Sequence, residues 1–187
     1  MLDPQVDPTV DPTVDHPLNL KAASLGDFQI LPLQDQDSVW IAQRLSCLDP
    51  WHTLGYSPKS LQHYLTRADP CLRCMTLVSD VSSVSGVTDL VGVFCVRFPW
   101  LLGASLELFA IFPDHQRRGL GTTALTWLEQ RVATKTRNLW ILVSAFNEPA
   151  NAFYRRQGYQ PVGKIEGLIQ EGRDEILLRK QLPRPVT

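Results

Sequence analysis

The chain has 187 residues, 44% of them hydrophobic and 20% charged, the balance of an ordinary globular domain, and a chain of this size hides roughly 70% of its unfolded surface on folding. Wholesale disorder is excluded. Lys and Arg number 18 against 19 Asp and Glu, a net charge of -1, so no global positive field gathers nucleic acid or anionic membrane, and any anion site must be local.

Residues 3–14 repeat Asp-Pro-Xaa-Val three times. Each Pro fixes φ and removes a backbone donor, so residues 1–24 are expected as a flexible, Pro-rich tail, with one folded domain over 25–187. No run approaches the ~18 consecutive apolar residues of a membrane helix, and no basic segment with an apolar signal core opens the chain. A cytoplasmic protein without membrane or nucleic-acid partners is expected.

Phe28–Leu33 reads as a first strand. Asp35–Leu48 carries Val39, Ile41, Ala42, Leu45 and Leu48 at helical spacing. After a break near Pro50, a second helix opens with Ser57 as cap and Pro58 in its first turn, and runs to about Arg67. Arg73–Ser79 and Leu90–Phe98 are strand-like, separated by a Ser/Gly/Asp loop over Ser82–Asp89. Then strand and helix alternate: Ser105–Phe112, helix Gly119–Thr134, Leu139–Phe146, helix Pro149–Gln157, a pattern that implies a parallel pair of strands. Leu139–Phe146 is almost continuously apolar, which suits a strand covered on both faces. Tyr159–Ile169 and Asp174–Leu182 form a last pair around Glu171 and Gly172, the final strand alternating polar and apolar.

Cys47, Cys71, Cys74 and Cys95 fall within these elements and are expected as buried, reduced thiols. Cys71 and Cys74 form a CxxC, but positions three apart on a strand point to opposite faces. Neither the other cysteines nor His52 and His63 stand at ligand spacing from them, so no metal site is expected.

The candidate chemistry lies between the strand ending at Phe112 and the helix starting near Gly119. A helix N-terminus offers free N–H groups and a positive dipole end, glycines admit a ligand to the backbone, and Arg117 and Arg118 add charge. Those features make a pyrophosphate cradle. They are equally those of an ordinary strand-to-helix loop with two solvated arginines. Gly119-Leu120-Gly121-Thr122-Thr123-Ala124 also spells the GxGxxA dinucleotide fingerprint, but six residues separate it from the strand, and no acidic residue follows at the required distance.

Gln116-Arg117-Arg118-Gly119-Leu120-Gly121 resembles the Q/R-x-x-G-x-G/A signature of the GNAT superfamily of N-acetyltransferases. Leu139–Tyr159, with Asn147, Ala150, Phe153, Tyr154, Gly158 and Tyr159, is similar to that superfamily's following strand and helix, N-x-x-A-x-x-Φ-Y ending in G-F/Y. The element series agrees from Phe28 to Leu182. The resemblance implies the GNAT fold, an α+β arrangement of a mixed six- to seven-stranded twisted sheet flanked by about four helices, in a monomer or homodimer. It implies acetyl-CoA as cosubstrate, no metal, and a primary-amine acceptor. Gln116, Arg117 and the backbone from Arg118 through Gly119, Leu120 and Gly121 to Thr122 would then bind pyrophosphate. The Phe109, Ala110 and Ile111 edge would pair with pantetheine, as would Asn147, which is otherwise a helix cap. A backbone N–H near Phe109 or Ala110 would polarise the thioester carbonyl, and Tyr154 would give its proton to the leaving thiolate.

For the base, Glu107 is the only carboxylate in a run that otherwise reads as buried strand, and burial without a partner raises such a pKa. The alternative is a carboxylate paired with an arginine or facing solvent. Glu107 resembles the carboxylate of polyamine acetyltransferases in position. In the ribosomal-protein alanine acetyltransferases, which the chain also resembles, the glutamate lies on the next strand, where Leu142 stands here. The demand on a base depends on the acceptor: at pH 7 deprotonation costs about 4.6 kcal/mol for a lysine-like amine and about 1.4 kcal/mol for an α-amine. Specificity would come from Leu48–Ser57 and Gly167–Asp174, with Trp51, His52 and Tyr56 either lining an acceptor pocket or anchoring the helix that follows. Three functions fit: transfer to a protein N-terminal α-amine, transfer to a polyamine or amino sugar, and acyl-CoA sensing without catalysis.

Overall fold

The computed structural model describes residues 18–26, 28–79 and 89–183. Along the chain run β1 (Ala23–Ser24), β2 (Phe28–Pro32), α1 (Asp35–Ser46), α2 (Pro58–Thr66), β3 (Leu72–Ser79), β4 (Leu90–Trp100), β5 (Gly103–Ile111), α3 (Leu120–Ala133), β6 (Asn138–Ser144), α4 (Glu148–Arg156), β7 (Gln160–Gln170) and β8 (Arg173–Gln181). The strands form one sheet in the order β1-β2-β3-β4-β5-β6-β8-β7. All neighbours are antiparallel except β5 and β6. This is the expected mixed sheet with four helices, and the strand beyond the expected count is the short β1. The predicted loop from Ser82 lies outside the described residues up to Asp89.

The helices cover the two faces of the sheet. Ile41, Ala42 and Leu45 of α1, spaced to share one helical face, pack with Leu61 and Leu65 of α2 against Val93, Cys95, Leu108 and Phe112. Ser57 caps α2 as its sequence predicts, its Oγ accepting from the Ser60 N–H at 3.1 Å. On the other face Leu125, Leu128 and Val132 of α3 and Tyr154 of α4 pack on Phe94, Leu106 and Ile141. Of the four unbridged cysteines, Cys95 is buried, Cys71 and Cys74 are half-buried and Cys47 is exposed, so the expectation of buried thiols holds at one position only.

The segment 18–24, which composition assigns to the tail, packs onto the domain. Leu18 and Leu20 belong to the α3/α4-side core, and Ala23 and Ser24 pair with Ile30 and Gln29. The apolar side chains at 18 and 20 outweigh the Pro-rich composition that precedes them. Leu18→Ala is therefore expected to cost about 2–5 kcal/mol in urea unfolding; a residue in a solvated tail would change it by less than about 0.5 kcal/mol.

Two irregularities make the site. Cys95 pairs with Leu108 but Val96 pairs with Leu106, so Glu107 is an extra residue in β5. This β-bulge reverses side-chain parity: Leu106 joins the α3/α4 core and Leu108, two residues on, the α1/α2 core. At the same point β5 leaves β6. Their ladder ends at Leu106 and Ile141, whereas β5 stays on β4 to Ile111 and β6 stays on β8 to Ser144. The parallel strands thus open as a V in the middle of the sheet.

Candidate active site

The V is the wall of a cavity of about 540 Å³. Tyr154 enters it from the α4 side, and Trp51, Leu54 and Tyr56 reach it from the α1–α2 connection. Because the ladder has ended, the backbone groups of Phe109 and Ile111, which face β6, have no strand partner there. Ala110, expected at the cosubstrate edge, is turned away from it: its carbonyl points at Gly92 of β4 and its side chain is buried in the α1/α2 core.

At the wide end of the V lies the first turn of α3. Its N-cap, Gly119, has φ of 78° and no side chain to cap the helix, and a β-carbon there would meet nothing within 4 Å. Only glycine takes this left-handed geometry at little cost. Arg117 is also left-handed, at φ 64°. The first intrahelical bond runs from the Thr123 N–H to the Gly119 carbonyl at 3.0 Å, so the N–H groups of Leu120, Gly121 and Thr122 precede the helical ladder. Arg117 and Arg118 are exposed beside them. Gly121 faces the end of β5, with room for a β-carbon at ordinary contact distance from Ile111, Phe153 and Phe109. Gln116 has a bracing role: its Nε2 donates to the Ile111 carbonyl at 2.9 Å. Thr122 Oγ1 accepts from Gln157 Nε2 at 3.2 Å, tying α3 to the end of α4.

Asn147 caps α4, its Oδ1 accepting from the Ala150 N–H at 3.2 Å, and also lines the cavity. Tyr154 is 6% exposed, stacked edge-on between Phe153 and Tyr159 at 5.2 and 5.7 Å. Burial pushes its phenol well above the usual tyrosine range. Among the described residues its hydroxyl has no hydrogen-bond partner, so it is a protonated group that faces the cavity with its proton uncommitted.

Glu107 lines the cavity but does not have the isolated environment predicted for it. The bulge turns it onto the α1/α2 face, where Arg97 donates through Nε to Oε1 and through Nη2 to Oε2 at 3.4 Å. Tyr64 donates to Oε2 at 2.8 Å and Arg67 approaches to 3.9 Å. Burial, then the negative charges beside it, raise the Tyr64 phenol well above its ordinary range. Arg97 also reaches Asp69 at 3.0 Å, so Glu107 belongs to a neutralised ion-pair network. The premise of an unpartnered carboxylate is thereby corrected: its neighbours come from α2 and β4, distant in sequence. Trp51 is half-buried, and Tyr56 is 36% exposed at the cavity mouth. His52 is outside the cavity, its Nδ1 3.3 Å from the Ser46 carbonyl.

Sequence reasoning missed Glu175. It lies on β8 directly opposite Ser144 of β6, is 2% exposed and lines the cavity. Ser144 Oγ donates to its Oε1 at 2.8 Å. Burial raises its carboxyl above the usual range, against the smaller effect of that bond. The signal was a carboxylate in phase with Leu177 on the strand beside an apolar one. Among the described residues, no group of three or more His, Cys, Asp or Glu gathers as a metal site, and no helix is long and apolar enough to cross a membrane.

A family model described as acetyltransferase (GNAT) family matches residues 38–159. No curated protein matches. Among solved structures, an acetyltransferase from Thermus thermophilus is 21% identical with a TM-score of 0.64, covering 83% of this chain and 97% of its own. Arabidopsis thaliana NAA60 in complex with a bisubstrate analogue is 14% identical with a TM-score of 0.66, covering 83% and 99%. The Vibrio cholerae spermidine N-acetyltransferase in complex with CoA and spermine is 15% identical with a TM-score of 0.64, covering 84% and 97%. At these identities the likeness is one of fold.

Proposed function

This chain belongs to the GNAT family of acetyltransferases, and on that premise we propose that it moves an acetyl group from acetyl-CoA to the α-amine at a peptide N-terminus, by direct attack. The fit to the cosubstrate rests on the α3 turn. Free amides at a helix N-terminus, an open backbone at Gly119 and the cations Arg117 and Arg118 suit a diphosphate. The β6-facing edge from Phe109 to Ile111 suits an extended amide chain, and Asn147 lies beside it in the cavity. When bound, acetyl-CoA supplies an acetyl group already activated as a thioester. The chain must then hold the amine neutral, polarise the carbonyl and deliver a proton to sulfur. Tyr154 suits the last role, because burial keeps its proton in place until a stronger base, the departing thiolate, is present. Free backbone N–H groups of β5 suit the second.

The observation that carries the choice of acceptor is the cavity rim. Ile165, Leu168 and Ile169 of β7, the edge strand, line the cavity yet are 36%, 52% and 42% exposed. An exposed apolar rim around an opening fits a ligand that extends beyond the cavity, and a peptide with an apolar first residue does so. With acetyl-CoA and free-thiol detection, a hexapeptide starting with Leu should be acetylated at least tenfold more efficiently in kcat/KM than spermidine. The reverse order would assign the small-amine function, and coenzyme binding without thiol release from any amine would leave a sensor. A cytoplasmic setting with reduced cysteines accords with this reading.

A further inference from the structure

We propose that Glu175 receives the acceptor's proton, and that the acceptor is a primary amine with one positive charge on an apolar body. The inference rests on the acetyl-transfer reading above and adds the group and the substrate class. Glu175 and Ser144 face each other across β6 and β8, on the sheet face opposite Ile141, Val143 and Leu178, which belong to the α3/α4 core. Glu107, turned by the bulge, is on the same face as Glu175, at the other side of the V. Two carboxylates thus border the acceptor side while Tyr154 stands across the opening.

They differ in what surrounds them. Glu107 accepts from Arg97 and Tyr64, with Arg67 near, so its charge is matched and its lone pairs largely used. Around Glu175, β6 presents the neutral Ser144 and β7 the neutral Ile165. On its own strand Asp174 is tied to Lys164 at 2.9 Å, and the Arg173 guanidinium lies over the Phe146 ring at 5.1 Å. Among the described residues no cation forms an ion pair with Glu175. A buried carboxylate with one hydroxyl donor and no counter-ion is costly to maintain, and the missing partner is a cation delivered by substrate. The cavity thus offers one unmatched negative charge among Trp51, Leu54, Leu168 and Ile169. A polyamine would bring further ammonium groups with nothing to meet them.

The step balances. One ammonium proton passes to Glu175 and from it to solvent, leaving a neutral amine. As the N–C bond forms and the C–S bond breaks, nitrogen loses a second proton and sulfur gains one from Tyr154, which the released proton restores.

The test compares Glu175→Gln and Glu107→Gln with the intact enzyme, using acetyl-CoA and the Leu-initiated hexapeptide from pH 6 to 10. Glu175→Gln should lower kcat about tenfold at pH 7, where roughly a tenth of an α-amine is already neutral, with the KM for acetyl-CoA kept, and recover toward the parent above the α-amine pKa of about 8, where no base is needed. A structural role would give an equal loss at every pH. Stability separates the two roles again. A carboxyl whose folded pKa is raised contributes stability below its unfolded value and loses it as pH rises through the folded value, so at pH 7 Glu175→Gln should melt no lower than the parent. An active parent with an unchanged Glu175→Gln profile, a larger pH-dependent loss in Glu107→Gln, or a preference for spermidine would overturn the proposal. A parent that acetylates no amine would instead remove the acetyl-transfer reading on which it stands.

Discussion

Tyr154→Phe is expected to lower kcat about 100-fold or more while leaving acetyl-CoA affinity within about twofold. The argument starts from one oxygen atom. The ring is held on two sides by Phe153 and Tyr159, so phenylalanine keeps the packing and the wall of the cavity. The hydroxyl has no protein partner among the described residues, so its removal orphans no buried donor or acceptor, and folding stability should be unchanged or slightly higher. What would disappear is the proton proposed for the leaving sulfur, a contribution of the size general acids make. Because burial raises this phenol's pKa, the group stays protonated through neutral pH and activity should not fall on its account until well into the alkaline range. Steady-state kinetics with calorimetric titration of acetyl-CoA would check both halves. An unchanged kcat would reduce Tyr154 to a structural wall.

Reversing the charge at both arginines of the α3 turn, Arg117→Glu with Arg118→Glu, should weaken acetyl-CoA binding about 30- to 150-fold. Both side chains are exposed, so each interaction with a diphosphate is worth a few tenths to about 1 kcal/mol in screened surroundings. Two reversals change several such interactions, about 2–3 kcal/mol in sum, and each 1.4 kcal/mol is tenfold. The loss should shrink as salt is raised, since exposed charges are screened within about 10 Å at 0.1 M. Neither arginine belongs to the core, so melting in the absence of ligand should not change. Binding that ignored both substitutions would show that the diphosphate rests elsewhere.

The strands and helices were legible where periodicity was strong: α1, α2 and the alternating second half fall within about two residues of their predicted ends. The α3 turn was legible because its glycines and arginines are contiguous. The misread features depend on registry or on distant partners. A bulge at Glu107 leaves no local signature, since Leu-Glu-Leu reads as regular alternation until the strand pairing shows that both leucines cannot share a face. Arg97 and Tyr64 lie 10 and 43 residues from Glu107 in sequence, so the match of its charge is a tertiary fact. Glu175 looked like one of several polar positions on a half-exposed strand, and only the pairing of β8 with the apolar β6 buries it. The hairpin joining β4 to β5 turns on Leu101 and Leu102, both at positive φ, where no Gly, Asn or Asp announces a turn.

Among the described residues β7 ends the sheet, has β8 as its only strand partner and is exposed along its whole length. The residues proposed to choose the acceptor therefore stand outside the two cores, where exchange costs the fold little. Such an arrangement uncouples evolvability from integrity. Randomising positions 165, 168 and 169 should yield libraries in which most members stay folded while their acceptor spectra diverge, whereas comparable diversity at Phe94 or Leu128 would be purged by misfolding before any new selectivity could be seen.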